Sequence, residues 1–431
     1  MTDTAPAPVP ERRGLWRFLP GLLAEPEFRR FWIGQTISSF GDQITWLALP
    51  VIAVLILHAD PAQMGLLTAF GLLPHLLFSL PAGVWLDRVE QRRRLMILMD
   101  LGRAMALAAI PVGVYLNWLS IPLLFLISFV VGTMSLVFTI CWGSLFVAVA
   151  KREQYVEANS LLNGSRSVSS VGGPAIAGVL IQVLSAPITL LFDALSFVGS
   201  ALFLSRIRAR DLPIEHEPGS IRSQLAEGLR FTFRDPIVRP SVLAASTMNL
   251  FNYGFQGLFV LYVLTYLGVE PGILGLALGA GAVGSVVGAL LAGRVGRRLG
   301  VGGAFLAGVI LFPGATILIP IASPDMPMPL IVAFLFAAEF VSGFGVMILD
   351  INAGAMLFAR TPDRIRGRAM GAFGFINNGV RPIGAVVGGL IGAAFGVRET
   401  LFVTTILSLA GALWLVGTPI IGLRDLPPAT E

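Results

Sequence analysis

The chain contains one cysteine, three scattered histidines and, among its 30 basic residues, a single lysine. Because Cys141 has no second cysteine to pair with, an intramolecular disulfide framework and a multi-cysteine metal site are excluded. The histidines form neither an HExxH pair nor a ligand cluster. Lys151 is followed by Arg152, so the phosphate-binding loop GxxxxGK[ST] is absent. We therefore expect no metal, no cofactor and no ATP.

Charge is also scarce. Only 13% of the 431 residues are charged, against about 25% in an ordinary soluble domain. Hydrophobic residues make up 55% of the chain, and its mean hydropathy is +0.81. The 49 glycines and 28 prolines interrupt long apolar runs rather than polar tracts, as is usual in membrane helices. The composition excludes a water-soluble globular protein and predicts an all-α integral membrane protein.

A bilayer core takes about 20 apolar residues per helix, and twelve such runs can be placed along the chain. They lie at 31–57, 63–86, 95–117, 119–149, 157–184, 187–206, 238–267, 272–293, 300–322, 328–357, 367–396 and 399–423. The runs predict five parts: an N-terminal segment at 1–30, a six-helix bundle at 31–206, a linker at 207–237, a second bundle at 238–423 and a tail at 424–431. In the linker, Leu225, Leu229 and Phe233 recur at helical spacing and predict an amphipathic helix at the membrane surface.

The pI near 10.0 and the formal charge of +5 suggest nucleic-acid binding, which needs basic residues on one solvated face. Instead, 26 of the 30 basic residues fall at alternate ends of the spans. Arg398 alone lies on the other side, and three arginines lie inside spans. This positive-inside pattern places both termini in the cytoplasm and indicates a lipid bilayer, not nucleic acid, as the partner. No cleavable signal peptide is expected, since the first apolar run is too long.

The two halves repeat each other at an offset near 210 residues. Gly65-Leu66 matches Gly275-Leu276, Pro26 matches Pro236, and Pro174 in the fifth span matches Pro382 in the eleventh. Two homologous six-helix bundles, related by an axis along the membrane normal, follow from this repeat. Such repeats place the substrate path at their interface.

The turn after the second span resembles the major facilitator superfamily signature GxxxD(R/K)xGxx(R/K)(R/K). The matching residues are Gly83, Asp87, Arg88, Arg92 and Arg93, with Glu90 where the family has glycine. The turn after the eighth span supplies a degenerate copy with Arg294, Arg297 and Arg298 but no aspartate. The resemblance covers nearly the whole chain and implies the major facilitator fold, twelve helices in two pseudo-symmetric bundles. It also implies that both copies gate the conformational change; the alternative is a solvated charge run that only sets topology.

Within the superfamily, the segments PEFRRFWIGQTISSFGDQITWLALP, MDLGRA and GGPAIAG resemble the twelve-span drug/proton antiporter branch that includes macrolide-type and enterobactin exporters. Gly172, Gly173, Pro174 and Gly178 are loosely similar to the exporter motif of the fifth span, although helix packing alone explains them equally well. The resemblance implies a monomer in the bacterial cytoplasmic (inner) membrane, driven by the proton gradient and acting on small molecules.

Ionisable and polar residues inside spans mark candidate sites, since a charge at mid-bilayer costs about 2.5–3.5 kcal/mol on insertion scales. Asp42 lies near half depth of the first span, Glu339 near half depth of the tenth, and Asp350 closer to its cytoplasmic end. At an offset of 210 from Asp42 stands Asn252, followed by Tyr253 and Gln256. The resemblance puts spans one, four, seven and ten around the central cavity. A carboxylate there can hold a proton or stay charged beside a cation; the alternative for each is a structural hydrogen bond.

Other buried charges require partners. Asp100 and Arg103 are spaced i, i+3 and can pair on one helix face. Arg166 and Arg381 need partners at depth, for which Asp87, Asp350 and Asp42 are candidates.

Together these features favour a secondary transporter that exports amphiphilic small molecules, such as a drug, an antibiotic or a siderophore-like compound, by proton-coupled alternating access. A facilitator or importer of a small metabolite with the same fold is the alternative. An intramembrane enzyme or a scaffold is a remote one, because no HExxH, GxSxG or histidine cluster is present.

Overall fold

The computed structural model describes residues 21–87, 89–208 and 221–427, apart from the side chains of 80, 81, 83, 84, 87 and 221–224. Arg88 and the side chains of Gly83 and Asp87 therefore lie outside the described residues. Within the described part the chain is helical and has no β-strand.

The long helices within each half alternate in direction and are joined by short connections. In chain order the helices are α1 (Pro26–Leu55), α2 (Pro61–Asp87), α3 (Arg92–Tyr115), α4 (Ile121–Val149), α5 (Tyr155–Leu184), α6 (Ala186–Ser205), α7 (Ile221–Arg234), α8 (Val238–Leu261), α9 (Pro271–Ala315), α10 (Leu318–Ile321), α11 (Met328–Arg360), α12 (Arg366–Phe395) and α13 (Val397–Leu409). A π-helical turn, Tyr262–Tyr266, extends α8, and a 3-10 helix, Ala410–Leu415, extends α13.

Ten segments of the described chain are long and apolar enough to cross a bilayer. One of them, Pro271–Ile321, breaks at Gly300, where φ is +78°, and so supplies two crossings. Val238–Leu261 is long enough to cross as well, although its serines and asparagines make it less apolar. The predicted twelve spans in two six-helix bundles are confirmed. The predicted end of the last span at residue 423 is wrong: the helix stops by Leu415, because Gly417 takes a positive φ and Pro419 follows.

Alternation of direction gives the molecule two ends. We call the end with the connections 89–91, 150–154 and 361–365 the basic end, and the end with 56–60, 185 and 267–270 the opposite end. One large apolar core at the opposite end draws on helices of both halves. Toward the basic end the apolar clusters separate, one confined to the first half and three to the second. Among the described residues, the apolar core that both halves share therefore lies at the opposite end, where it seals them against each other.

Two glycine pairs make this seal. In the first pair, a Cβ at Gly178 of α5 would lie 2.8 Å from the Cα of Gly275 in α9. In the second, a Cβ at Gly389 of α12 would lie 2.8 Å from the Cα of Gly65 in α2. Since real Cβ atoms do not approach backbone so closely, only glycine allows either contact. The sequence repeat relates the two pairs, because Gly65 and Gly275 are 210 residues apart.

The same repeat appears at the basic end. Glu25, before α1, lies 3.8 Å from the ammonium of Lys151, just after α4. Asp235, before α8, pairs at 2.9 Å with Arg360, at the end of α11. The amphipathic helix α7 joins the second half, where Glu227 accepts a hydrogen bond from Arg368 of α12.

Replacing Asp235 with alanine is expected to lower the stability of the second half. One of its oxygens accepts hydrogen bonds from the backbone N–H groups of Ile237 and Val238, both at 2.9 Å, and the other pairs with Arg360. Because the carboxylate is buried, we expect a loss of about 2–4 kcal/mol in unfolding free energy, seen as a lower melting temperature in detergent. Asp363→Ala is the matched control, since Asp363 is 89% exposed and its pair with Arg366 is worth about 0–1 kcal/mol. Equal melting temperatures for the two variants would contradict this role.

Candidate functional site

A pocket of about 470 Å³ lies between the two halves, below the seal of the opposite end. Helices α1, α2 and α4 of the first half and α8 of the second form its walls. Asn252, Tyr253 and Gln256, predicted as cavity residues, all line it. We call this the central pocket.

The central pocket is uncharged and amphipathic. Its walls carry Trp46, whose side chain is 50% exposed, together with leucines of α1 and α2. Hydroxyl groups of Thr45 and Thr68 and the amide of Gln256 supply scattered polar contacts. Apolar and aromatic walls with a few fixed polar groups suit small organic ligands.

A second cavity, of about 430 Å³, lies within the first half between α1, α3, α4 and α5. Asp42, Arg103 and Arg166 line it, and we call it the charged chamber. The Asp42 side chain is 54% exposed, and its Oδ1 lies 3.9 Å from Nη1 of Arg103. Because Asp42 stands three and four residues before Thr45 and Trp46 on α1, the charged chamber and the central pocket are neighbours along one helix face.

Arg103 is only 3% exposed, and several partners hold it in place. It pairs with Asp100 one turn away, at the i, i+3 spacing expected from the sequence. Its guanidinium also lies over the rings of Phe138 and Phe197, at 4.6 and 4.0 Å from their centroids. Such stacking stabilises a guanidinium away from bulk water.

The other two buried arginines rest on aromatic rings rather than on carboxylates. Arg166 lies 5.0 Å from the ring of Trp142, and Arg381 lies 5.2 Å from the ring of Tyr253. Neither has a carboxylate within 4 Å among the residues whose side chains are described, which leaves out Asp87. The charge of Arg166 acts on Asp42, and that of Arg381 acts on Asp350 and His75. Asp42 and Asp350, two of the three expected carboxylate partners, therefore act on these arginines from a distance, and aromatic faces make the direct contacts.

The two carboxylates of the tenth span lie outside both cavities. Glu339 packs against α9, where its Oε2 is 3.2 Å from the position of a Cβ on Gly281. Asp350 is exposed on α11. The structure thus brings Asp42, Asn252, Tyr253 and Gln256 to neighbouring cavities and leaves these two apart from them.

Asp193, an aspartate for which the sequence suggests packing or a local pair, makes a polar contact beside the chamber. Asp193 of α6 is fully buried and accepts hydrogen bonds from Thr45 and, at 2.9 Å, from Ser196. Gly41 makes room for it, because a Cβ there would overlap both Asp193 and Ser196. An aspartate in an apolar run was the available signal, but its partner on another helix was not readable.

The residues of the gating motif lie at the basic end. Arg92 is buried, and it donates to the Leu86 carbonyl at 3.3 Å and to Ser144 of α4. Arg93 is half-buried. In the second copy, Arg294, Arg297 and Arg298 are exposed. Their gating role remains a prediction.

The glycine and proline residues of the fifth span contact different partners. Gly178 meets α9 of the other half, and the Pro174 carbonyl would overlap a Cβ on Gly275. Gly173 faces Gln43 of α1, whereas Gly172 has only ordinary contacts.

Comparison with known proteins agrees with this architecture. A family model described as "Transmembrane secretion effector" matches residues 20–425. The chain is 25% identical to the uncharacterized MFS-type transporter YfiS of Bacillus subtilis, over 90% of this chain and 92% of that protein. It is 25% identical to the multidrug efflux pump Tap of Mycolicibacterium fortuitum, over 91% and 95%.

Solved structures show the same fold at low sequence identity. The nucleoside transporter NupG superposes with a TM-score of 0.70 at 12% identity, covering 92% of this chain and all of that one. A bacterial homologue of the iron transporter ferroportin superposes with a TM-score of 0.70 at 18% identity, covering 94% and 99%. The family match spans nearly the whole described chain, and its members and relatives are transporters rather than enzymes. This chain is a multi-pass membrane transporter that belongs to the transmembrane secretion effector family of the major facilitator superfamily.

Proposed function

We propose that the protein exports amphiphilic small molecules in exchange for protons, by alternating access of the central pocket. The observation that carries this proposal is the neighbourhood of two cavities on one helix: an uncharged amphipathic pocket between the halves, and a chamber holding Asp42 beside two arginines. The first suits an amphiphile and the second suits a group that gains and loses a proton. The name of the Tap efflux pumps supports export.

The charge pattern gives the proposed orientation. With 26 of the 30 basic residues at one side of the spans, we place the basic end and both termini in the cytoplasm. The seal at the opposite end then makes this an inward-open arrangement, ready to take cargo from the cytoplasm. Closing the basic end and opening the glycine seal would release that cargo outside.

Asp42 is the proposed proton carrier. When it is ionised, its charge acts on Arg103 and Arg166; when it is protonated, Arg166 loses its neighbouring carboxylate, whereas Arg103 keeps Asp100. The two forms differ in their interactions at the chamber wall, so proton binding can shift the balance between two orientations of the halves.

The test is transport into liposomes with an acidic lumen. Protons that leave through an antiporter drive cargo inward, so a substrate among dyes, macrolides, tetracyclines and siderophores is expected to accumulate above the level of protein-free liposomes. A facilitator gives equilibration without accumulation, and a proton symporter gives depletion from the lumen. If every transported compound gave equilibration or depletion, the antiport proposal would be contradicted.

A pocket substitution should weaken cargo binding without disturbing the fold. Trp46→Ala removes a half-exposed ring from the central pocket, and we expect KM to rise about tenfold through lost apolar contact. Trp118→Ala is the control, because Trp118 is similarly exposed but lies outside the central pocket. Concentration-dependent transport of the best compound measures both, and an unchanged KM for Trp46→Ala would place the cargo elsewhere.

A further inference from the structure

The lining of the charged chamber carries a net positive formal charge. Its ionisable lining residues are Asp42, Arg103 and Arg166, and the nearest further carboxylate, Asp100, is already bound to Arg103. Arg166 makes no ion pair or hydrogen bond with the side chains that the structure describes, and it is exposed to the chamber. The stacked ring of Trp142 holds its guanidinium in place.

With two arginines against one aspartate, the lining favours an anionic occupant, because charges interact more strongly in an enclosed cavity than in water.

A carboxylate has the matching chemistry. The planar fork of a guanidinium binds a carboxylate through two parallel N–H···O bonds, and a stacked arginine is already oriented for them. Asp42 is the internal competitor for the same cations, with Asp100 and Asp193 as the other carboxylates near it. A ligand carboxylate would take the place that the ionised Asp42 leaves when it binds a proton.

The central pocket is positioned for the rest of such a ligand. It begins one helical turn from Asp42, at Thr45 and Trp46, and its lining carries no charge. The two linings are therefore one helical turn, ~5.4 Å, apart along α1, within reach of a short arm on an apolar ring system.

Resting on the proposed function, we propose that the preferred cargo is an amphiphilic carboxylate, whose apolar body fills the central pocket and whose carboxylate binds Arg166 in the charged chamber. This narrows the substrate class to organic anions and assigns Arg166 as the residue that selects them.

The test uses three probes with the same ring: pyrenebutyrate, pyrenebutanol and pyrenebutylamine. Binding to the purified protein is followed by energy transfer from tryptophan to pyrene. We expect pyrenebutyrate to bind about tenfold more tightly than pyrenebutanol, the effect of a charge-assisted hydrogen bond, and pyrenebutylamine to bind most weakly. Arg166→Gln is expected to weaken pyrenebutyrate about tenfold and to leave pyrenebutanol within about twofold. Asp42→Asn, which removes the competitor, is expected to tighten pyrenebutyrate.

Arg230→Gln, on the exposed face of α7, is the matched control and should bind all three probes as the wild type does. If Arg166→Gln does not fold, the order of the three binding affinities for the wild-type protein still tests the inference. Equal binding of all three, or tightest binding of the amine, would overturn the inference. Transport of pyrenebutanol or pyrenebutylamine without preference for the acid defeats this inference alone, whereas gradient-driven transport of none of the three or of the wider compound set defeats the proposed function.

Discussion

Alanine at both Gly178 and Gly389 is expected to break the seal of the opposite end and leave the transporter unable to return to the arrangement seen here. A Cβ at Gly178 would lie 2.6 Å from the Pro271 carbonyl oxygen, and one at Gly389 would lie 2.9 Å from the Pro61 carbonyl oxygen. Both contacts join backbone of one half to backbone of the other, so no side-chain rotation relieves them. The halves must separate.

The expected size follows from two overpacked contacts. Each costs about 1–3 kcal/mol, and the two lie at different helix crossings, so their costs add. About 4 kcal/mol in total moves the equilibrium between the two orientations roughly a thousandfold away from the sealed state. Cargo transport, which needs both orientations, should fall to background.

Labelling of a pocket cysteine measures the seal directly. The background is Cys141→Ser, and the labelled position is Gln256→Cys. With the glycines unchanged, this cysteine is predicted to react slowly with an impermeant maleimide applied outside the cells. In the double glycine variant it is predicted to react rapidly. Gly172→Ala is the matched control on the same helix, because its Cβ would have only ordinary contacts, at 3.8 Å or more. Fast labelling with Gly172→Ala, or slow labelling in the double variant, would contradict the assignment of the seal.

Asp42→Asn is expected to separate transport from its driving force. The amide is close in shape to the carboxylate but cannot release a proton at neutral pH, so accumulation driven by an acidic lumen should fall to the level of protein-free liposomes. Exchange of labelled for unlabelled cargo, which needs no net proton movement, should stay within about threefold of the wild type. The measurement is both assays on one preparation.

Two comparisons make the result specific. Asp363→Asn changes an exposed aspartate at the basic end and should leave both assays unchanged. Glu339→Gln alters a second predicted proton carrier, which lies outside both cavities. If gradient-driven accumulation persists in Glu339→Gln but is lost in Asp42→Asn, the proton site lies in the charged chamber. The reverse result places the proton site in the second half.

The spans could be predicted from the sequence because bilayer thickness fixes the length of every apolar run. The repeat could be predicted because matching residues recur at an offset near 210. Gly65 and Gly275 occupy matching places in the structure, as the repeat predicts. The seal itself was not readable, since the contact of Gly178 with Gly275 joins helices whose relative depth the sequence does not encode.

For the candidate site, the sequence could not show in which direction each side chain points. Asn252, Tyr253 and Gln256 were found because polar residues clustered in one span, and they do line the central pocket. Trp46 was missed, because an aromatic residue in an apolar run carries no signal of which face it occupies. Arg166 was expected to lie beside a carboxylate, but its guanidinium lies over a tryptophan ring, a contact that is not distinguishable in sequence from core packing.

Proton movement coupled to cargo movement tests the central claim most directly. Liposomes loaded with a pH-sensitive dye and buffered equally on both sides receive, from outside, a compound that the gradient screen identifies as cargo. Because each entering molecule is exchanged for departing protons whichever way the protein is inserted, the lumen should become alkaline with the wild-type protein and stay unchanged with Asp42→Asn. A lumen that turns acidic, or one whose pH does not change while cargo enters through the wild-type protein, would contradict the exchange of protons for cargo.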